Sequence, residues 1–139
     1  MGPVVLKRVL PCSKQQLFDA WSKPSIMAQW FFASQAPVAP STVNNSFTVG
    51  GHYEVIMHMQ TGSYRHYGIY RAITRYSHIA FSWNSHLVRD SLVELDFREL
   101  SPNRTELKLT QTEFPNDEVR GKHVAGWEGC LANLTQYFA

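Results

Sequence analysis

The sequence predicts an α+β fold in which a curled antiparallel sheet is closed by one long C-terminal helix. Most of the chain consists of segments that alternate apolar and polar side chains, as strands with one buried face do. Residues 117–138 instead carry apolar side chains every three or four positions, which is the spacing of an amphipathic helix. A long sheet curls, so we expect this helix to fill its concave face.

One strand and two short helices are predicted in the first part of the chain. Val4–Leu10 is rich in valine and leucine and is predicted as the first strand. Ser13 and Gln16 have the spacing of a capping box, so a helix of about ten residues should follow. Pro24 favours the start of a second short helix, which ends in the aromatic segment Trp30–Phe32.

Six further strands are predicted as a meander, because short turns between successive strands force antiparallel pairing. Residues 33–46 contain prolines and many polar side chains and are predicted as a loop, with Gly50–Gly51 as a hairpin turn. The six strands are expected at Phe47–Val49, His52–Met59, Tyr64–Arg75, Ile79–Trp83, Leu92–Leu100 and Thr105–Thr112. Asn116 or Asp117 can cap the final helix.

Composition and charge limit the classes of function. An apolar fraction of 44% and a charged fraction of 17% are typical of a chain that forms one core, so we expect residues 1–139 to be a single domain. A net charge of +2 without a basic run gives no basis for nucleic-acid binding, and no apolar run is long enough for a membrane span. Cys12 and Cys130, without a signal-peptide pattern, indicate a reduced, cytoplasmic protein. No motif indicates a cofactor.

The C-terminal helix carries three glycines, Gly121, Gly126 and Gly129, and each costs about 1 kcal/mol relative to alanine. A helix that accepts this cost needs either close backbone approach or space beside it. The aromatic content of 13% then has two interpretations, an aromatic-rich core or an aromatic-lined pocket for a small molecule.

Eight residues are candidates for such a pocket. Methionine and tyrosine on the apolar face of the strand His52–Met59 suit an adaptable site with a polar handle, and two aromatic residues near position 30 could form its lid. Each of these side chains has the alternative role of core packing. The candidate ligand-binding residues are Trp30, Phe31, Tyr53, Val55, Met57, Tyr70, His123 and Trp127.

The role of His123 distinguishes the binding hypothesis from the catalytic one. This residue lies one helical turn before Trp127, so both side chains should face the sheet. His123 could hydrogen-bond a ligand or serve as a general acid/base near neutral pH; the alternative is a structural histidine bonded to a tyrosine or a backbone carbonyl. There is no G-x-S-x-G motif, and Cys130 is expected to be a small buried residue.

The remaining histidines do not predict a metal site. His52 and His58 share a strand face but lie about 20 Å apart along it, which is too far to share one ion. His66 is expected on the neighbouring strand. We therefore expect exposed strand histidines and no bound metal.

Several short motifs occur in the order found in a known family. They are Asp19–Pro24 with Gln29–Phe31, Val49–Tyr53, Gly68–Ile73, Phe81–Trp83, Thr110–Pro115 and His123–Trp127. Together they resemble the activator of heat-shock-protein-90 ATPase homologue-like family across nearly the whole chain. The resemblance implies a helix-grip fold of the START-like, Bet v 1-like superfamily, in which a seven-stranded curved sheet grips the long helix around a cavity.

Members of that superfamily include hydrophobic-ligand binders, polyketide cyclases and the chaperone-binding domain that named the family. We therefore expect a protein that binds a small hydrophobic or amphipathic ligand rather than an enzyme. The alternatives are a cyclase or dehydratase that uses His123 as acid/base, and a chaperone cofactor that binds the 90-kDa heat-shock protein.

Overall fold

A computed structural model describes residues 2–139, which form a curled seven-stranded antiparallel sheet, two short helices and one long helix. The strands are β1 Val4–Leu10, β2 Ala39–Asn45, β3 His52–Met59, β4 Gly62–Thr74, β5 His78–Trp83, β6 Ser91–Ser101 and β7 Arg104–Thr112. The helices are α1 Lys14–Ala20, α2 Pro24–Trp30 and α3 Asp117–Phe138. The strand order β1-β7-β6-β5-β4-β3-β2 is a meander of β2 to β7 with β1 added beside β7. The predicted α+β helix-grip architecture is confirmed.

The capping box predicted for α1 is present. The Ser13 hydroxyl accepts from the Gln16 amide at 3.1 Å, and the Gln16 side chain accepts from the Ser13 amide at 2.9 Å. The helix spans only seven residues, because it ends before Trp21 and the chain restarts at Pro24, the first residue of α2.

The predicted loop over residues 33–46 is correct only for residues 33–38, and the predicted strand at Phe47–Val49 is wrong. The second strand is β2, Ala39–Asn45, which pairs with β3 at the edge of the sheet. Its register shifts between Ala39 and Thr42, on either side of Pro40. The proline and the polar side chains of this segment are typical of a loop, so the sequence does not predict a strand. An edge strand tolerates both, because its backbone is hydrogen-bonded to a neighbouring strand on one side only.

The long helix α3 begins and ends where its periodicity predicts and packs its apolar face towards the concave sheet. The buried residues of this face are His123, Trp127, Cys130, Leu131 and Leu134. The Asn116 side chain caps the helix by accepting from the Val119 amide at 2.9 Å. Within residues 2–139, no helix is both long and apolar enough to cross a membrane.

A buried polar chain joins α3 to the sheet. The indole N–H of Trp127 donates to the Gln111 side-chain oxygen at 2.6 Å, and the Gln111 amide nitrogen donates to the Ser91 hydroxyl at 2.9 Å. Ser91 in turn donates to the Thr112 carbonyl. Gln111 is fully buried, so these bonds replace the water that its amide loses on folding. They fix the position of Trp127 over β6 and β7.

Two of the three glycines of α3, Gly121 and Gly126, have open space beside them, and the third is closely packed. A Cβ atom built at Gly121 or Gly126 meets no atom within 4 Å, whereas one at Gly129 would lie 3.2 Å from the Ser34 hydroxyl. Two glycines of the sheet region permit close backbone approach, since a Cβ would collide with the Ser82 carbonyl at Gly68 and with the Ser46 carbonyl at Gly51. The open space at Gly126 matters for the site described next.

Candidate functional site

An open pocket of about 240 Å³, here called the outer pocket, is lined by side chains from α3 and from the strands β3, β4 and β5. Its wall is largely apolar, and several histidines supply its polar side. The apolar and small lining residues are Phe32, Met57, Trp83, Leu87, Gly126, Trp127 and Cys130. The polar lining residues are Gln35, His66, Ser85, His86, Lys122 and His123.

A second, enclosed space of only about 10 Å³, here called the inner void, lies deeper in the concave face. Such a volume is hardly enough for one water molecule, so side chains fill this end of the sheet. It is lined by Trp21, Met27, Phe31, Tyr53, Val55, Tyr70, Phe81 and Trp83. Trp83 separates the inner void from the outer pocket, since it lines both.

His123 is fixed by its own helix and turned to the outer pocket. Its Nδ1 lies 2.8 Å from the Val119 carbonyl, and a carbonyl can only accept, so Nδ1 carries the proton. The Phe114 ring packs 5.3 Å from the imidazole. Burial lowers the pKa of His123, and the Val119 carbonyl opposes this shift. His123 is therefore neutral at pH 7, with Nε2 as an acceptor.

His66 on β4 is the second histidine of this wall. Its imidazole lies between Phe32 and Trp83, with ring centroids 4.7 and 5.1 Å away. Nδ1 lies 3.3 Å from the Val55 carbonyl, so this nitrogen is again the donor. Burial lowers the pKa of His66 to about 4, and the carbonyl of Val55 opposes the shift. The expectation that this histidine is exposed is wrong, because only 7% of it is accessible.

The rim of the outer pocket carries two further basic groups. His86 is exposed in the loop between β5 and β6, with its ring 5.3 Å from that of Tyr64. Lys122 on α3 is exposed as well and lies 3.8 Å from Glu118 in a solvent-screened pair. The mouth is thus polar and the interior aromatic.

The described chain leaves two buried indole N–H groups without a hydrogen-bond partner, those of Trp21 and Trp83. Trp83 is 3% accessible, so this donor is shielded from solvent even though the indole ring lines the outer pocket. Phe32, at the opposite wall, adopts a left-handed backbone conformation with φ of 59°. That conformation costs about 1–2 kcal/mol for a residue with a side chain, and here it accompanies a ring that packs on His66.

The eight candidate ligand-binding residues predicted from the sequence do not lie around one pocket in the structure. Met57, His123 and Trp127 line the outer pocket. Phe31, Tyr53, Val55 and Tyr70 surround the inner void. Trp30 is fully buried and donates its indole N–H to the Ala20 carbonyl at 3.0 Å, so Trp30 and Phe31 lie in the core and not over the pocket mouth.

The two tyrosines of the inner void already have hydrogen-bonding partners. The Tyr53 hydroxyl donates to the Ser82 carbonyl, and the Tyr70 hydroxyl accepts from the Asn45 amide at 3.1 Å. Burial raises the pKa of Tyr70 to about 12 and raises that of Tyr53 as well. Both phenols stay neutral and serve the packed end of the sheet.

Sequence reasoning missed His66, Trp83 and Phe32 as pocket residues. The signal for His66 is its parity with Tyr70 on β4, since residues an even number apart share a strand face. Trp83 has the same relation to Phe81 on β5. No comparable signal exists for Phe32, because its place depends on an unusual backbone conformation.

Other reactive groups offer little chemistry here. Cys130 is buried as expected, and burial raises the pKa of its thiol to about 12, so the nucleophilic thiolate is absent near neutral pH. Among residues 2–139, no three His, Cys, Asp or Glu side chains are grouped so that they could hold a metal ion. The neutral imidazoles of His66 and His123 are the buried ring groups that can exchange hydrogen bonds with a molecule in the outer pocket.

Solved structures with the same fold cover almost the whole chain. An AHSA1-like protein from Aeromonas hydrophila is 18% identical, with a TM-score of 0.81 over 98% of this chain and 91% of that one. A protein from Rhizobium leguminosarum is 23% identical, with a TM-score of 0.79 over 99% and 93% of the two chains. An HSP90 activator from Plasmodium falciparum is 20% identical, with a TM-score of 0.75 over 95% and 92%. At these identities the likeness shows the fold alone.

The sequence comparisons give a clearer answer about the family than about function. No curated protein matches the chain. The model of the family described as Activator of Hsp90 ATPase homolog 1-like protein matches residues 11–139. This match includes every helix and all strands except β1. The chain therefore belongs to the Activator of Hsp90 ATPase homolog 1-like protein family.

Proposed function

We propose that the protein binds a small amphipathic ligand in the outer pocket, with the apolar part of the ligand among the aromatic side chains and its polar part towards the histidines. The observation that carries this proposal is an open pocket at an otherwise filled sheet–helix interface, lined by both aromatic rings and neutral imidazoles. Its volume lies just below the usual range for ligand sites, which suits a molecule of one or two fused rings.

The expected affinity is modest. A ligand that buries about 200 Å² of apolar surface gains about 5 kcal/mol before the cost of association. Because 5 kcal/mol corresponds to a dissociation constant of about 200 μM, we expect simple two-ring compounds to bind no more tightly than this, in the high micromolar to millimolar range. Trp83 and Trp127 line the pocket with ring centroids 4.9 Å apart, so their emission should report an occupant directly.

A titration of tryptophan emission with neutral naphthalene derivatives tests this proposal. Gly126→Leu would project a side chain into the outer pocket and should abolish the saturable change. Gly121→Leu, on the same helix and also in open space but outside the pocket lining, is the matched control and should leave the titration intact. The proposal fails if no two-ring compound gives a saturable signal, or if both leucine variants behave like the wild type.

Acid–base catalysis is a second candidate, because His123 and His66 line one open pocket and provide the second polar group that such chemistry needs. The neutral imidazole of His123 would remove the proton next to a carbonyl, and the imidazolium formed would return that proton to the β-hydroxyl, which leaves as water as the C–C double bond forms. Enone absorbance measured after mixing with a β-hydroxyketone tests this, with His123→Ala as the variant. Equal rates for wild type and variant would contradict the candidate.

A chaperone interaction is the third candidate, supported by membership of the family and by the fold shared with the Plasmodium HSP90 activator. No surface feature described above adds to that support. A pull-down with the 90-kDa heat-shock protein tests it, and absence of binding would contradict it.

A further inference from the structure

The two imidazoles of the outer pocket offer a ligand the same kind of atom. In His123 the proton resides on Nδ1, which is held 2.8 Å from the Val119 carbonyl. In His66 it resides on Nδ1 as well, directed at the Val55 carbonyl 3.3 Å away. Neither Nε2 has a hydrogen-bonding partner within residues 2–139. A neutral imidazole with its proton on one nitrogen accepts at the other, so both Nε2 atoms are acceptors.

The surroundings hold the imidazoles in this arrangement. His66 is fixed between the rings of Phe32 and Trp83, and His123 packs against Phe114. The backbone carbonyls fix the tautomers, since the tautomer with its proton on Nε2 would leave a carbonyl facing the bare Nδ1. Both residues are more than nine-tenths buried, at 7% and 8% accessibility. The acceptors are therefore in place before a ligand arrives.

From this arrangement we infer that the outer pocket selects ligands whose polar group donates a hydrogen bond, a phenol or an alcohol, and discriminates against carboxylates and against ethers of the same shape. This inference rests on the proposed function and specifies the polar end of its ligand. A carboxylate presents only acceptors and would meet two lone pairs at close range. An ether fits the aromatic walls but leaves the imidazoles without a partner.

The charge state of the imidazoles supports the same selection. Burial lowers the pKa of both, so near pH 7 they are neutral acceptors. The groups that line the pocket with them are His86 from the β5–β6 loop, Lys122 from α3 and the buried thiol of Cys130. Repulsion from His86 lowers the pKa of both histidines further, and His123 also lowers the pKa of His66. Protonation would turn Nε2 into a donor and reverse the preference.

Three matched probes test the inference: 2-naphthol, 2-methoxynaphthalene and 2-naphthoate, each titrated by tryptophan emission at pH 7.5. We expect 2-naphthol to bind about five- to tenfold more tightly than the methyl ether, which is the usual effect of one net hydrogen bond, and the carboxylate to bind most weakly. If the methyl ether binds as tightly as the naphthol, the inference is overturned while the proposed function stands. If none of the three binds, the proposed function fails.

Two further measurements locate the effect at the imidazoles. His123→Phe keeps a ring in place and removes one of the two acceptors, so it should lower the naphthol-to-ether ratio while ether binding stays within about twofold. His52→Phe, at an exposed position of β3, is the matched control and should keep the full ratio.

In the wild type, acidification from pH 7.5 to 4.5 should weaken naphthol binding and leave ether binding unchanged, because His66, with a pKa of about 4, begins to protonate. This measurement needs no variant and therefore does not depend on whether His123→Phe folds. An unchanged ratio in His123→Phe, or tighter binding of 2-naphthoate than of 2-naphthol at pH 7.5, would overturn the inference.

Discussion

The two ends of the concave sheet face differ although they share one wall, the indole of Trp83. At one end, Trp21, Phe31 and Tyr53 close around a void of about 10 Å³. At the other end, α3 and the sheet leave an open pocket of about 240 Å³ beside Gly126. The short helices α1 and α2 with the residues that end them account for the difference, because this segment supplies Trp21, Met27 and Phe31 to the first end only.

This difference teaches that aromatic density alone does not indicate a ligand site. The inner end is the more aromatic, yet its tyrosine hydroxyls are bonded within the protein and its rings pack on each other. The outer end combines rings with imidazole nitrogens that lack a partner in the described chain. If the comparison is sound, substitutions at the inner end should change stability, and substitutions at the outer end should change ligand binding.

The largest effect is expected at the inner end. Phe31 is 2% accessible and stacks on Trp30 with ring centroids 4.1 Å apart, so Phe31→Ala should lower the free energy of unfolding by about 3–5 kcal/mol. Met57→Ala, at a half-buried position of the outer pocket, should cost clearly less. Urea denaturation followed by far-UV circular dichroism measures both. Equal losses would mean that the two ends are packed alike.

The free energy of unfolding at acid pH should depend on His66, the histidine of the outer pocket on β4. The pKa of His66 is lowered from 6.5 to about 4, so between these values the unfolded chain binds a proton that the folded chain does not. The free energy of unfolding should therefore fall as the pH drops through this window, by about 3 kcal/mol in total.

His66→Leu should flatten that part of the stability profile, which urea titrations at a series of pH values would measure. His52→Leu, at an exposed site, is the control and should retain the wild-type slope. A slope that persists in His66→Leu would place the responsible group elsewhere.

The two tryptophans of the pocket wall should respond differently to the same substitution. Trp127→Phe removes the donor of a 2.6 Å hydrogen bond and leaves the buried Gln111 oxygen without a partner, whereas Trp83→Phe removes a donor that is already unpaired. We expect Trp127→Phe to be the more destabilising by about 1–2 kcal/mol in thermal or urea unfolding. Equal losses would show that shape, and not the polar chain to Ser91, decides the position of α3.

The smallest effect separates stability from binding most directly. Gly126→Ala and Gly121→Ala should each raise the free energy of unfolding by about 0.5–1 kcal/mol, because alanine favours the helix and the added Cβ meets no atom within 4 Å. Only Gly126→Ala should also weaken binding of a naphthalene probe. The distinction between the two ends would lose its basis if both variants bound the probe as the wild type does.

The sequence predicts regular elements well where a period repeats many times. The bounds of α3 follow from a stripe that recurs over 22 residues, and those of β1 and β3 follow from their composition and alternation. The strand β2 escapes prediction because Pro40 and the polar residues around it carry turn signals, while its real constraint is pairing with β3. The local sequence around Pro40 favours a turn, whereas hydrogen bonding to β3 favours a strand, and the strand forms.

The site is less predictable than the fold for a related reason. Period-two and helical spacing place Met57, His123 and Trp127 on inward faces, and the structure brings these three to one pocket. Spacing cannot say which part of an inward surface remains uncovered. That depends on side chains from α1 and α2, distant in sequence, that fill the space over Tyr53 and Tyr70.

The edge strand β2 has a consequence for the behaviour of the protein at high concentration. A free sheet edge is a template on which a second chain can add a strand, and long, flat edges promote aggregation in this way. Pro40 offers no amide hydrogen to such a strand, and the shifted register between Ala39 and Thr42 interrupts the regular edge. Pro40 and the polar residues around it, which make β2 hard to predict from the sequence, thus also make its edge a poor template for self-association.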